Sequence, residues 1–228
     1  MWLLFDLDDT LIDTSGSIAP FRLERALDYL LRTSTLNHSP SRLLSELLHI
    51  HHAAPSSREA LIQFSQKYSF SKSALFKAVD LVYKAPLQEE IPVRTLPRVL
   101  ALLKRISSHS LCLVSQGDET IQRQKLKKAG IEPQLFYKIS VKDPCDKGEM
   151  YQEIFLDLPI RQGEVVVIGD RVQTDLFPAK QLGFWTVHMQ WGRGALSPGS
   201  SCVDFQIQRP WQLLSILKQI QKRVQTWE

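Results

Sequence analysis

The chain has 228 residues, 43% hydrophobic and 23% charged, which is enough apolar material for one sizeable core or for one domain carrying a smaller insertion. Its net charge of +4 is mild, and the densest basic stretch, Arg123 to Lys128, falls in a helical pattern without interleaved aromatics. A solvated face is expected there, and no nucleic-acid partner.

The longest apolar runs are strand-length, far short of the roughly 20 residues of a membrane span. Met1-Trp2-Leu3-Leu4-Phe5 meets acid at Asp6 with no basic leader. No membrane partner is therefore expected, and the cytoplasm is the default location. Cys112, Cys145 and Cys202 are odd in number and widely spaced, which suggests reduced thiols rather than a disulfide framework or a zinc site.

In chain order, Trp2-Leu3-Leu4-Phe5 is a continuously apolar run, as expected of a strand buried on both faces of a parallel sheet. From about Thr14 to Ile91 only helix-like segments follow: Phe21 to Leu31, Pro40 to Ile50, Arg58 to Tyr68 and Ser71 to Tyr83. Ser39-Pro40, Pro55-Ser56-Ser57 and Pro86 punctuate them. Leu43, Leu44, Leu47 and Leu48 recur at helical spacing and read as buried, whereas His49, His51 and His52 read as a partly exposed helix end.

Strand and helix then alternate. Leu96 to Ile106, Thr120 to Ala129, Glu149 to Leu156 and Asp175 to Leu182 are helical patterns, set around the buried strands Leu111 to Val114 and Val165 to Ile168. Phe184 to Gln190 and Asp204 to Gln208 read as further strands, Trp191-Gly192-Arg193-Gly194 as a flexible loop or a border of the site's mouth, and Trp211 to Val224 as a closing helix. The pattern predicts an α/β fold, a doubly wound, Rossmann-like parallel sheet built from residues 1 to 13 and 92 to 228, with an all-helical insertion over 14 to 91.

The first strand runs into Asp6-Leu7-Asp8-Asp9-Thr10, the second into Ser115-Gln116-Gly117-Asp118 and the third into Gly169-Asp170. Parallel strands place these ends along one edge, where open α/β sheets bind ligands. Two carboxylates about 4 Å apart repel by roughly 4 kcal/mol at an effective dielectric near 20. Clustering Asp6, Asp8 and Asp170 therefore calls for a cation, and an all-oxygen donor set favours Mg²⁺. Donors for a phosphate are the Ser115 hydroxyl, the amides around Gln116-Gly117 and a lysine, for which Lys147 is the candidate and Lys142 the alternative. Taken by itself, Asp175 reads as a helix N-cap.

Phe5-Asp6-Leu7-Asp8-Asp9-Thr10-Leu11 resembles the first motif of the haloacid dehalogenase-like (HAD) hydrolase superfamily, and the other motifs follow in order. Leu111 to Gly117 resembles the second motif, Lys147 the third, and Val166 to Asp175 the acidic fourth. Ser115-Gln116-Gly117-Asp118 and Gln122 to Leu126 are similar to the branch that includes pyrimidine nucleotidases and N-acylneuraminate 9-phosphatases, with Ser and Gln in place of Thr and Asn.

The resemblance implies a catalytic pair: Asp6 as a nucleophile that is briefly phosphorylated, Asp8 as acid and then base. It implies that Thr10 orients Asp8, and that Ser115, Gln116 and Lys147 hold phosphate. Mg²⁺ would be bound by the Asp6 carboxylate, the Asp8 carbonyl and the Asp170 carboxylate, with Asp175 either a further ligand or a support behind them, and the helical insertion would be a cap. An Asp at position 8 favours phosphoryl transfer over dehalogenation. The partner expected is a small phosphorylated metabolite, a sugar phosphate or nucleotide for example, acted on by a monomer or homodimer. A phosphomutase and a catalytically silent scaffold are the alternatives.

Overall fold

The computed structural model describes residues 1–36, 38–143, 146–158, 161–197 and 200–225. Cys145 lies outside them; Cys112 and Cys202 are buried free thiols, and burial pushes the Cys112 thiol up to about 11. Among the described residues no helix is long and apolar enough to cross a membrane.

The chain falls into two compact units, Met1–Asp13 with Val93–Glu228, and Thr14–Pro92. The first holds a six-stranded, wholly parallel sheet in the order β3-β2-β1-β4-β5-β6. Its strands are β1 (Trp2–Phe5), β2 (Ser110–Gln116), β3 (Lys138–Lys142), β4 (Val165–Gly169), β5 (Trp185–Met189) and β6 (Phe205–Ile207). Leu3, Leu4 and Phe5 pair with Leu111, Cys112 and Leu113 on one side, and with Val166, Val167 and Ile168 on the other. This double burial explains why β1 and β4 carry no polar alternation.

The strand order reverses at β1, so the ends of β1, β2 and β4 are neighbours where a doubly wound sheet opens a crevice. One core layer packs Leu4, Val114 and Val167 against Met150, Tyr151 and Ile154 of the helix Lys147–Asp157.

β3 departs from the sequence reading, which has no strand between Val114 and Val165. Lys138-Ile139-Ser140-Val141-Lys142 forms an edge strand that is only partly buried, so it lacks a continuous apolar run, and its lysines protect the open edge.

The second unit contains α1 (Ala19–Arg32), α2 (Pro40–Ala53), α3 (Ser57–Tyr68) and α4 (Lys72–Tyr83), packed through Leu23, Leu27, Leu43, Leu47, Phe64 and Ala78. Ser56 and Ser71 cap α3 and α4 by accepting from Glu59 N and Ala74 N. Leu43 and Leu47 are fully buried, and Leu44 and Leu48 half-buried, as their spacing requires. The histidine-bearing helix end is partly exposed, as read: His49 and His52 are exposed, whereas His51 is buried with Nε2 3.0 Å from Ser57 Oγ. Arg22 is also buried and clasps the end of α4, donating to Val82 O and, at 2.7 Å, to Ala85 O.

Candidate active site

β1 stops at Phe5 because the chain turns polar there, and the Asp6 amide makes one last sheet bond, to Ile168 O at 2.9 Å. The chain then folds back on itself. The amides of Leu11 and Ile12 both donate to Leu7 O at 3.0 Å, and Asp9 takes a positive φ of 58°. This compact loop keeps Asp6 buried and leaves Asp8 half-exposed.

Beyond β2, Gly117 at φ 142° turns the chain into α6 (Glu119–Lys128), which follows α5 (Val99–Arg105) in the sequence. Asp118 caps α6 by accepting from Ile121 N at 3.0 Å. One turn in, Gln122 Nε2 reaches back to Ser115 Oγ at 2.7 Å, Asp8 Oδ2 at 3.0 Å and Gln116 O at 3.1 Å. On the same helix face Lys125 Nζ lies 2.7 and 2.8 Å from the two Asp8 oxygens. Lys125 is buried where a solvated basic face was expected; Arg123 and Lys127 keep to that expectation. Thr10 Oγ1 is buried without a hydrogen bond, so Gln122 and Lys125 hold Asp8 in the place assigned to Thr10.

Lys147 opens α7 (Lys147–Asp157), a position where the helix dipole disfavours a cation. Two carboxylates outweigh this: its Nζ is 2.5 Å from Asp6 Oδ1 and 2.7 Å from Asp175 Oδ1. Lys142 instead pairs at the surface with Glu153 at 2.6 Å. The geometry thus brings Lys147, and not Lys142, to the strand ends.

After β4 the chain makes a single π-helical turn, Val172–Leu176, before α8 (Phe177–Gln181). Asp175 is therefore no N-cap of a longer helix. It curls back to accept from Arg171 N at 2.9 Å and Lys147 Nζ at 2.7 Å. A Cβ at Gly169 would sit 2.5 Å from Asp175 Oδ2, so β4 has to end on glycine for Asp175 to enter.

Gly194 plays the same part for Asp170, whose carbonyl would lie 2.3 Å from a Cβ there. The loop reading of Trp191 to Gly194 is thereby corrected: Gly192–Leu196 is a 3-10 turn packed on Asp170, and Trp191 Nε1 donates to Asp13 Oδ1 at 2.9 Å. His188 Nε2 donates to Asp170 O at 3.0 Å.

Asp6, Asp170 and Asp175 each bring one oxygen within 4.8 Å of the others, all three buried. Asp175 thus joins the acidic set, whereas the Asp8 carboxylate turns to α6. Burial pushes Asp6 up to about 7, with Asp175 and Asp8 adding to the rise and Lys147 opposing it. Asp170 is held well above the carboxylate range by burial and by Asp175 and Asp6. Burial alone would lower Lys147, yet Asp175 and Asp6 hold it well above its ordinary value. One ammonium thus faces three buried carboxylates. An all-oxygen donor set with excess negative charge fits a hard divalent cation such as Mg²⁺.

Beside this cluster a cavity of about 460 Å³ is lined by Gln116, Asp146, Lys147, Gln173, Thr174 and Phe177 among others. Asp6 and Asp8 are not in its lining, so it lies alongside the carboxylates rather than over them.

The haloacid dehalogenase-like hydrolase family model matches residues 1–183. A glyceraldehyde 3-phosphate phosphatase of Methanocaldococcus jannaschii is 27% identical over 57% of this chain and 59% of its own length. One from Methanopyrus kandleri is 25% identical over 96% of this chain and 98% of its own. YfnB of Bacillus subtilis, solved bound to magnesium, is similar in fold with a TM-score of 0.67 at 18% identity, covering 95% of this chain and 97% of that one. Motif order, strand order and the family match agree, and the chain belongs to the haloacid dehalogenase-like hydrolases.

Proposed function

We propose that the protein is a Mg²⁺-dependent phosphatase of small phosphomonoesters, working through a phosphorylated Asp6. The observation that carries this is the buried pairing of Asp6 with Lys147 beside Asp170 and Asp175, one short loop away from Asp8. Asp6, Asp170 and the Asp8 carbonyl, supported by Asp175, would hold Mg²⁺, which when bound offsets the acidic charge and that of the phosphate.

An Asp6 oxygen attacks phosphorus while Asp8 gives its proton to the departing ester oxygen. Asp8 then takes a proton from the water that opens the aspartyl phosphate. Gln122 donates to Ser115 Oγ, so the Ser115 proton points elsewhere and is available to a phosphoryl oxygen. Two of the three Lys147 protons meet Asp6 and Asp175, and the third serves the same group. The helical segment acts as the cap. Arg22 is engaged with α4, which leaves the exposed Phe21, Arg25 and His52 as its candidates for reading the substrate.

Four relatives are named for glyceraldehyde 3-phosphate, and that ester heads the substrate panel. The test is phosphate release by wild type and Asp6→Asn across triose phosphates, other sugar phosphates, nucleotides and phosphoglycolate, with Mg²⁺ and with EDTA. Release that needs both Asp6 and Mg²⁺ is expected. Appreciable turnover by Asp6→Asn would refute the nucleophile, and conversion of a sugar phosphate to an isomer without phosphate release would make the protein a mutase.

A further inference from the structure

We propose that Lys125 is the positioning residue of Asp8, fixing the acid–base carboxylate so that its proton reaches the leaving oxygen. The inference rests on the phosphatase reading and assigns a role to a residue outside the carboxylate cluster. Lys125 belongs to a run of cations on α6, yet its side chain is only 9% exposed, against 31% for Asp8. Buried lysines occur where they are paired, and the partners here are both oxygens of one carboxylate, at 2.7 and 2.8 Å.

A third contact, from Gln122 to Asp8 Oδ2 at 3.0 Å, fixes the carboxylate plane. Gln122 Nε2 has two hydrogens shared among Asp8, Ser115 Oγ and Gln116 O, so Asp8 is tied to the end of β2 where phosphate donors lie. Gln122 and Lys125 are three residues apart on one helix, and the Asp118 cap sets where both begin.

The chemical step shows what such a hold does. As the bond between Asp6 and phosphorus forms and the ester P–O bond breaks, the Asp8 O–H proton passes to the ester oxygen. Asp8 is left a carboxylate held on both oxygens by the Lys125 ammonium, placed to take the proton of the hydrolytic water that recharges it as an acid. An alkoxide leaving group needs the proton; 4-nitrophenolate leaves as an anion and does not. Since kcat/KM covers events up to this cleavage, the ratio of kcat/KM for an alkyl phosphate to that for 4-nitrophenyl phosphate isolates the contribution of Asp8.

General acid catalysis supplies typically about 10²- to 10⁴-fold, and losing its alignment is expected to forfeit about 10- to 100-fold of that. The experiment measures kcat/KM for both esters in wild type, Lys125→Met and Lys125→Arg. The Met variant should lose about 10- to 100-fold on the alkyl ester and less than about threefold on the aryl ester, with partial rescue by Arg. Equal losses on the two esters, or none on either, overturn the proposal. Should Lys125→Met fail to fold, as judged by its thermal transition, Lys125→Gln takes its place with the same expectation.

If wild type cleaves neither ester, the phosphatase reading fails rather than the positioning role. Crystal structures of wild type and Lys125→Met then decide it: an Asp8 side chain that turns away without the ammonium supports the role, and one that keeps its place overturns it.

Discussion

Removing divalent cations should make the stability of this protein fall as pH rises, with Asp6 contributing beside Asp170, whose carboxyl is raised by the same burial. In the ion-free fold burial moves Asp6 from 3.8 to about 7, a change of about three pH units. Each unit corresponds to about 1.4 kcal/mol, so ionising Asp6 in place costs about 4 kcal/mol. Between the unfolded and folded values the folded chain keeps a proton that the unfolded chain has lost. Stability therefore declines as pH rises from about 4 and levels off above about 7.

From pH 5 to pH 8 the loss is about 3 kcal/mol, or about 6 to 12 °C in the melting temperature of a domain this size. The assay is thermal unfolding in EDTA at pH 5, 6, 7 and 8, for wild type and Asp6→Asn. Asparagine stands in for the protonated acid, so the variant should already melt a few degrees higher at pH 5, where about a third of the loss has occurred, and by a wider margin at pH 8. Mg²⁺ should raise the wild type at pH 8. Identical pH dependence in the two proteins, or a wild type that gains on the variant as pH rises, would sink the electrostatic account of the site.

Three further outcomes are expected. Gly169→Ala puts a methyl 2.5 Å from Asp175 Oδ2, and overpacking of this kind costs about 1 to 3 kcal/mol; denaturant unfolding should show that loss, with turnover down at least about tenfold as Asp175 is displaced from Lys147. Lys147→Met should abolish phosphate release, whereas Lys142→Ala, which breaks only an exposed pair with Glu153, should change stability by no more than about 1 kcal/mol and leave turnover intact. Arg22→Met strips donors from Val82 O and Ala85 O and should cost about 1 to 3 kcal/mol in a thermal or urea melt.

The central sheet was legible in the sequence because β1, β2 and β4 are buried on both faces and each breaks abruptly into polar residues. Those breaks are the site, so Asp6, Ser115 and Asp170 could be found together with the strands. β3 was not legible: an edge strand facing water on one flank needs no unbroken apolar run, and its two lysines read as loop.

Lys125 and Gln122 were hidden differently. Each looks like an ordinary surface residue of a basic helix, and only tertiary packing turns that face inward. The signal that could have found them is their spacing of three, in register with the buried Ile121 and Leu126. Asp175 was ambiguous because local sequence cannot foretell a π-helical turn, which swings its carboxylate back over Gly169. Thr10 was expected from the resemblance to orient Asp8, and the hydrogen bonds that hold Asp8 come instead from α6 side chains.

The turn at Gly192–Leu196 divides the labour of the chain. Every carboxylate and ammonium of the site lies at or before Asp175, yet Asp170 is braced from behind by His188 and by the close approach of Gly194. Trp191 meanwhile anchors Asp13, at the point where the sheet unit hands over to the helical one. A chain cut after Gly183 would keep all of its reactive groups and lose the wall they lean on. Its acidic residues would then be free to spread apart under their own repulsion, and the protein would retain its chemical vocabulary without the grammar that makes it catalytic.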